Sequence, residues 1–173
     1  MPDSAAELGG LSAYPTADGS FSLESERFGE AFHNSAGALN EAQAKFAVPA
    51  QLSRFGGEHR LTILDVCVGL GYNTAVILEA LADPSPVVQW WGLELDRRPL
   101  QLALSEAGFR CLWTDGVLQR LQAILTSDGW TELNSRGTQL WGDARTTLPL
   151  IPEQQSFDPV SYTHLRAHET SLH

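Results

Sequence analysis

Two glycines and two acids are the residues of this sequence whose types and spacing can do chemistry together. Gly69 and Gly71 stand in Leu61-Thr-Ile-Leu-Asp65-Val-Cys67-Val-Gly69-Leu-Gly71-Tyr-Asn73. Such glycines let a backbone turn sharply and approach a ligand that any Cβ would hold off. Glu94, in Trp91-Gly-Leu-Glu94-Leu-Asp96, follows Gly71 by 23 positions. That is close to the roughly 20-residue spacing of a carboxylate that accepts hydrogen bonds from ribose hydroxyls. Asp143, in Thr138-Gln-Leu-Trp141-Gly142-Asp143-Ala144, closes a third apolar run. Each alone has an ordinary reading: a βα turn, a solvated strand-end charge, a helix N-cap. In this order, at βαβ spacing, they describe half of an adenosine-binding pocket.

The elements that must position them can be read around them. Leu61 to Val68 is short, apolar and β-branched, which suits a buried strand. A helix follows from about Asn73 to Leu81, with Val76, Ile77, Ala80 and Leu81 on its apolar face. Its N-terminus offers free N–H groups and a positive dipole end to a polar ligand group. Val87 to Trp91 opens the next strand, which ends in Glu94. The position three after Gly71 is Thr74, where a dinucleotide site needs a third glycine. That disfavours an NAD-dependent oxidoreductase.

Upstream, Asp18-Gly19 between alternating segments predicts a hairpin, and Arg27 to Phe32 adds a strand. Ala38 to Val48 reads as a helix ending before Pro49, and Leu52 to His59 as a linker. Downstream, a helix begins near Pro99 and runs to Ala107. Another spans Gly116 to Ser127, with Val117, Leu118, Leu121, Ile124 and Leu125 inward. An Asn134-Ser-Arg-Gly137 turn leads into the Gly-Asp strand, and Phe157-Asp158 opens a fourth strand.

The 173 residues suffice for one domain with a core, and 43% hydrophobic with 18% charged residues is an ordinary composition. No run approaches the roughly 18 apolar residues of a membrane span, and no basic-then-apolar secretory leader is present. Cys67 and Cys111 lack metal-ligand spacing and read as reduced core thiols, which fits a cytoplasmic protein. The formal net charge is −10, with Lys45 the single lysine, a poor footprint for a nucleic-acid binder. Arg97, Arg98 and Arg145 could grip phosphates, though a solvated face is the better reading for each.

The order Asp65-x-x-x-Gly69-x-Gly71 followed by Glu94 resembles the class I methyltransferases that bind S-adenosylmethionine. A more specific resemblance lies in Asp18 to Ala42 followed by Lys45-Phe46, through the glycine turn and Gly92-Leu-Glu94-Leu-Asp96, to Trp141-Gly142-Asp143-Ala144-Arg145 and Phe157-Asp158. It is to the methyltransferase part of the bacterial tRNA 5-methylaminomethyl-2-thiouridine biosynthesis proteins. It covers about residues 15–160, weakly between Cys111 and Gly137. The resemblance implies an α/β, Rossmann-like class I methyltransferase fold with a parallel-type sheet, helices on both faces and an N-terminal hairpin and helix extension. It implies methyl transfer from S-adenosylmethionine to the amine of 5-aminomethyl(-2-thio)uridine at the tRNA wobble position. A flavin-dependent oxidase accompanies some members, fused or separate; no membrane partner is implied.

Carried over by position, Asp65, Gly69, Gly71, Asn73, Glu94, Asp143, Ala144 and Glu41 would line the cofactor site, with Phe32 to Glu41 in its wall and no metal. The expected organisation is a flexible stretch at 1–13, a pocket-lining extension at 14–60, a partial core at 61–160 and a non-native tail at 161–173. The tail reads as a translated adaptor, and His164 and His168 in it are at accidental metal-like spacing. The family has a second aspartate just after Asp158, facing the amine; here Ser161 is reached instead, so the core reads as incomplete, no catalytic residue is assigned and the fragment is expected to be inactive. A polyamine aminopropyltransferase or a non-catalytic nucleotide-binding domain shares the glycine turn and acidic strand end, and both stay open at this point.

Overall fold

The structure, a computed structural model, describes residues 10–55, 60–81, 87–153 and 156–157. Two sheets divide the work. Strands β1 (Leu11–Tyr14), β2 (Ser22–Ser25) and β3 (Glu30–Ala31) form a small antiparallel sheet in that order. The hairpin expected at Asp18-Gly19 is present, but its strands close from Tyr14 to Ser22, so the connection is a longer loop. Strand β1 begins at Leu11, inside the stretch expected to be flexible, because Leu11 is buried in the core. The rest of that stretch, 1–9, lies outside the described residues.

The loop has a structural task. The helical stretch after it starts at α1 (Ala38–Ala42), whose N-cap Gly37 has no side chain to cap with. Ser20 Oγ accepts from Ala38 N (2.8 Å), and Asp18 Oδ2 accepts from Asn40 N (3.1 Å). A Cβ at Gly37, whose φ is +138°, would collide with the Asp18 carboxylate. The helix then widens into a π turn at Gln43–Ala47 and resumes as α2 (Val48–Ala50), running through Pro49 instead of ending before it. In a tight α-turn the proline ring would strike the carbonyl four residues back, and a wide turn just upstream relieves that clash. The stretch expected as a linker begins as a 3-10 turn at Leu52–Arg54, and Leu52 joins the core.

The second sheet has the order β4 (Arg60–Val66), β5 (Val87–Glu94), β7 (Ser135–Trp141), β6 (Gly129–Thr131). The first three are parallel and β6 is antiparallel, so the sheet is mixed. Sequence reading missed β6 and put a turn at Asn134 to Gly137. Ser135 to Gly137 are strand residues paired with Val88 to Trp90, and the turn lies one step earlier. One face carries Leu61, Ile63, Val88 and Trp90, which join Ala75, Leu100, Ala103, Val117, Leu121 and Ile124 in the core. Those residues come from α3 (Tyr72–Ala80), α4 (Arg98–Ser105) and α6 (Asp115–Ser127).

Helix α3 is buried nearly all round, from Tyr72 through Leu78, not along one apolar face; Ala80, expected inward, is exposed. The helix expected to run to Ala107 stops at Ser105, where Glu106 turns extended, and a short α5 (Ala107–Arg110) follows. On α6 the expected inward side holds, with Val117, Leu121 and Ile124 buried. Helix α7 (Ala144–Thr147) closes the described chain together with a 3-10 turn at Leu148–Leu150. Phe157 is in no strand, and Asp158 and the tail lie outside the described residues. The described helices include none long and apolar enough to cross a membrane.

Candidate functional site

Strand β4 ends at Val66, and the chain enters a turn in which Cys67, Gly69 and Gly71 all have positive φ (+64°, +57° and +89°). Gly71 needs the freedom most. A Cβ there would stand 2.9 Å from Leu100 Cδ1, besides requiring a conformation L-residues avoid. At Gly69 a Cβ would stand 3.4 Å from the Phe32 ring, so the N-terminal sheet closes over this turn. Tyr72, the first residue of α3, holds that sheet in place. Its hydroxyl donates to Phe21 O (3.0 Å), and its ring meets His33 and Phe109 edge-on at 5.3 and 5.0 Å.

Glu94 closes β5 beside this turn. Its Oε2 accepts from Gly69 N (2.8 Å), and its Oε1 accepts from Leu95 N and Asp96 N (2.6 and 2.9 Å). Burial pushes its carboxyl above the ordinary range, against the pull of these three N–H groups. With Oε1 engaged twice, the lone pair left on Oε2 can take one ribose hydroxyl directly.

Between the glycine turn and the N-terminal sheet lies a cavity of about 430 Å³. A small-molecule site of this size is ordinary. Of the expected site residues, Gly69, Asn73, Glu94 and Glu41 line it, and Phe32 to Asn34 supply part of the wall. Asp65, Gly71, Asp143 and Ala144 do not line it. Asp65 is turned inward under the turn, 1% exposed, and accepts from Thr74 Oγ1. Burial pushes its carboxyl up to about 6, with the Thr74 bond opposing and the Glu94 charge adding. Gly71 serves the packing of α3 against Leu100 and Leu121. Asp143 caps α7 through Arg145 N (2.9 Å) and pairs with the Arg145 guanidinium. The hydrogen bonds from Arg145 hold its carboxyl down at about 2.

Several lining residues were missed in the sequence. Arg27, Phe28, Lys45, Cys67, Asp96 and Arg98 all reach the cavity. For Lys45 a signal existed, since it is the chain's single lysine and follows Glu41 by one helical turn. Phe28 approaches only through the folding of the small sheet, which no local pattern announces. Both cysteines were misplaced: Cys67 lies in the cavity wall and Cys111 is exposed. Burial raises the Cys67 thiol to about 11, and the Glu94 and Asp65 charges add to this. The arginines weighed as phosphate contacts are each committed to an acid: Arg97 to Asp128, Arg98 to Asp96 and Arg145 to Asp143. Among the described residues no group of three His, Cys, Asp or Glu side chains is placed to hold a metal.

No family model matches the chain. An uncharacterized protein of Methanocaldococcus jannaschii is 38% identical over 63 residues, which are 36% of this chain and 17% of that protein. Among solved structures, the crystal structure of MnmC2 from Aquifex aeolicus matches with a TM-score of 0.69 at 28% identity. The match covers 86% of this chain and 47% of that one, so the chain spans less than half the length of either relative. The likeness establishes a Rossmann-like, MnmC2-type fold.

Proposed function

We propose that the cavity is an S-adenosylmethionine site, and that the chain is part of a protein that transfers a methyl group to the amine of 5-aminomethyl(-2-thio)uridine at the tRNA wobble position, this chain itself being inactive. The observation that carries the reading is Glu94. Its Oε2 is fixed by Gly69 N at the carboxyl end of β5, on the border of the cavity. Ligands of open α/β sheets bind outside the carboxyl ends of the strands, where a half-engaged carboxylate can take a ribose hydroxyl. The residues present fit the cofactor: an acid with a spare acceptor, a glycine turn no side chain obstructs, and a cavity of suitable size. When bound, S-adenosylmethionine supplies an electrophilic methyl group on a sulfonium.

The chain's own residues then act mainly by placement. Glu94 fixes the sugar, the Gly69 turn sets how closely the backbone approaches, and Phe28 and Phe32 supply apolar wall to the cavity. A neutral amine needs little more than a near-attack geometry, so positioning supplies much of the rate. The second aspartate that the family places just after Asp158 to face the amine is not found here, where Ser161 is reached instead, so no residue of this chain is assigned the amine proton. An NAD-type reading is disfavoured by Thr74, which stands where a third glycine is needed and whose hydroxyl is committed to Asp65.

The test is calorimetric binding of S-adenosylmethionine and NAD to this chain, followed by incubation with methyl-labelled cofactor and tRNA bearing 5-aminomethyluridine. S-adenosylmethionine is expected to bind and NAD not to. Binding of NAD alone sinks the cofactor assignment. Labelled cofactor bound by a full-length relative, with no labelled nucleoside formed, sinks the acceptor assignment.

A further inference from the structure

The stretch of cavity wall from Phe32 to Glu41 is held by residues that do not line the cavity. Phe32, His33, Asn34 and Glu41 line it, whereas Thr16, Asp18 and Ser20 do not. The strands on either side of the Thr16 to Ser20 loop are anchored, since Leu11 and Leu23 are 3% and 1% exposed in the core. From that anchor the loop reaches across to the wall. Ala17 N donates to Ser35 O (2.8 Å). Ser20 Oγ accepts from Ala38 N (2.8 Å) and Leu39 N (3.4 Å), and Asp18 Oδ2 accepts from Asn40 N (3.1 Å).

The wall has little of its own to fix it. Asn34, Ser35 and Ala36 are exposed. Helix α1 has five residues, too few to stand alone, and Gly37 gives it no side-chain cap. The N–H groups that open it, from Ala38 to Asn40, all find acceptors in the loop. The loop is braced within itself, because Asp18 Oδ1 accepts from Ser20 N (2.9 Å) and from Thr16 Oγ1 (3.1 Å). Burial works to raise the Asp18 carboxyl, but the hydrogen bonds from Ser20, Asn40 and Thr16 outweigh it and hold it below its ordinary range. An ionised acid thus faces the start of a helix, where a negative charge is favoured.

We infer that Asp18 and Ser20 are positioning residues that clamp this wall from outside, and that a small molecule gains the cavity when the clamp lets Phe32 to Glu41 move. A weakly packed segment opens locally at a cost below that of global unfolding. Its opening is then set by the hydrogen bonds that tie it to an anchored neighbour. The clamp works in the same way whatever ligand the cavity takes, so it stands apart from the cofactor reading.

The experiment follows this chain by amide hydrogen exchange and by iodoacetamide labelling, in wild type, Asp18→Ala, Asp18→Asn and Gly37→Ala. Cys67 lines the cavity and reads its opening, while exposed Cys111 is the internal control. Asp18→Ala should speed exchange of the Ala38 to Ala42 amides and labelling of Cys67 by about tenfold, the scale of one charge-assisted hydrogen bond. Exchange in β5 and β7 and labelling of Cys111 should not change. Asp18→Asn keeps an acceptor oxygen and should recover most of the wild-type behaviour. Gly37→Ala, whose Cβ would collide with the Asp18 carboxylate, should open the wall at least as far as Asp18→Ala does. Faster exchange in both sheets alike would make Asp18 a general stabiliser and overturn the inference. Unchanged Cys67 labelling beside faster α1 exchange overturns the link to the cavity. Failure of S-adenosylmethionine to bind, by contrast, sinks the cofactor reading and leaves these two readouts to decide the clamp.

Discussion

Strands β5 and β7 lie side by side, Glu94 opposite Trp141, and each hands over to an acid at its carboxyl end. The two acids nevertheless have opposite surroundings. Glu94 faces the glycine turn, holds three backbone N–H groups, and has its carboxyl raised by burial. Asp143 stands in solvent, capping α7 and gripping Arg145, with its carboxyl lowered to about 2. What separates them is the chain that follows. After Glu94 comes Leu95-Asp96, whose N–H groups fold back on the carboxylate; after Asp143 comes an arginine two positions on, which takes the charge outward. An acid at a strand end can thus serve a ligand only where its neighbours leave an acceptor facing a cavity.

The sharpest way to break this comparison is to remove each acid in turn. Glu94→Ala should weaken an adenosine ligand by about 100-fold and also lower Tm, since three N–H groups lose their acceptor. Asp143→Ala should change affinity by less than about threefold, because a solvated, ion-paired acid contributes little to a neighbouring cavity. Equal losses in calorimetric titrations would end the distinction.

The second test uses pH. The folded Asp65 carboxyl keeps its proton to about pH 6, whereas an unfolded one loses it near 3.9. In that window the native state binds more protons, so stability falls as pH rises through it. Asp65→Asn should abolish this slope and gain roughly 2–3 kcal/mol over wild type above pH 7, with no gain near pH 4. Urea unfolding across that range measures it. Asp143, charged throughout the same window, should contribute no slope there.

These contrasts mark what the sequence makes legible. Gly69, Gly71 and Glu94 are readable because their pattern is local: an apolar run, a glycine pair, a second run ending in an acid. The strands, α6 and the Asp18 hairpin follow from similar short-range signals. What escaped depends on partners far along the chain. Strand β6 is three residues long and exists because it pairs with β7. Asp65 looked like a ligand because its spacing says nothing of Thr74 reaching beneath it. Phe28 and Lys45 come to the cavity only when the small sheet folds over Gly69.

A smaller effect asks how rigid the turn beside Glu94 is. Gly71→Ala should cost about 1–3 kcal/mol, from its positive φ and the approach to Leu100. Gly116→Ala, with nothing within 4 Å of its Cβ, should stabilise by at most about 1 kcal/mol. Thermal melts of the two variants separate a glycine the turn needs from one that only opens α6. A similar cost at both positions would mean the turn is no tighter than an ordinary helix end.

Cys67 has a consequence of another kind. Cys67 lines a cavity proposed to hold an alkylating agent, where a thiolate would be a competing acceptor. With the thiol held at about 11, roughly one molecule in ten thousand is ionised at neutral pH. Burial and the nearby acids thus leave the chamber wall chemically inert toward electrophiles, a form of self-protection supplied by the same carboxylate that would hold the sugar.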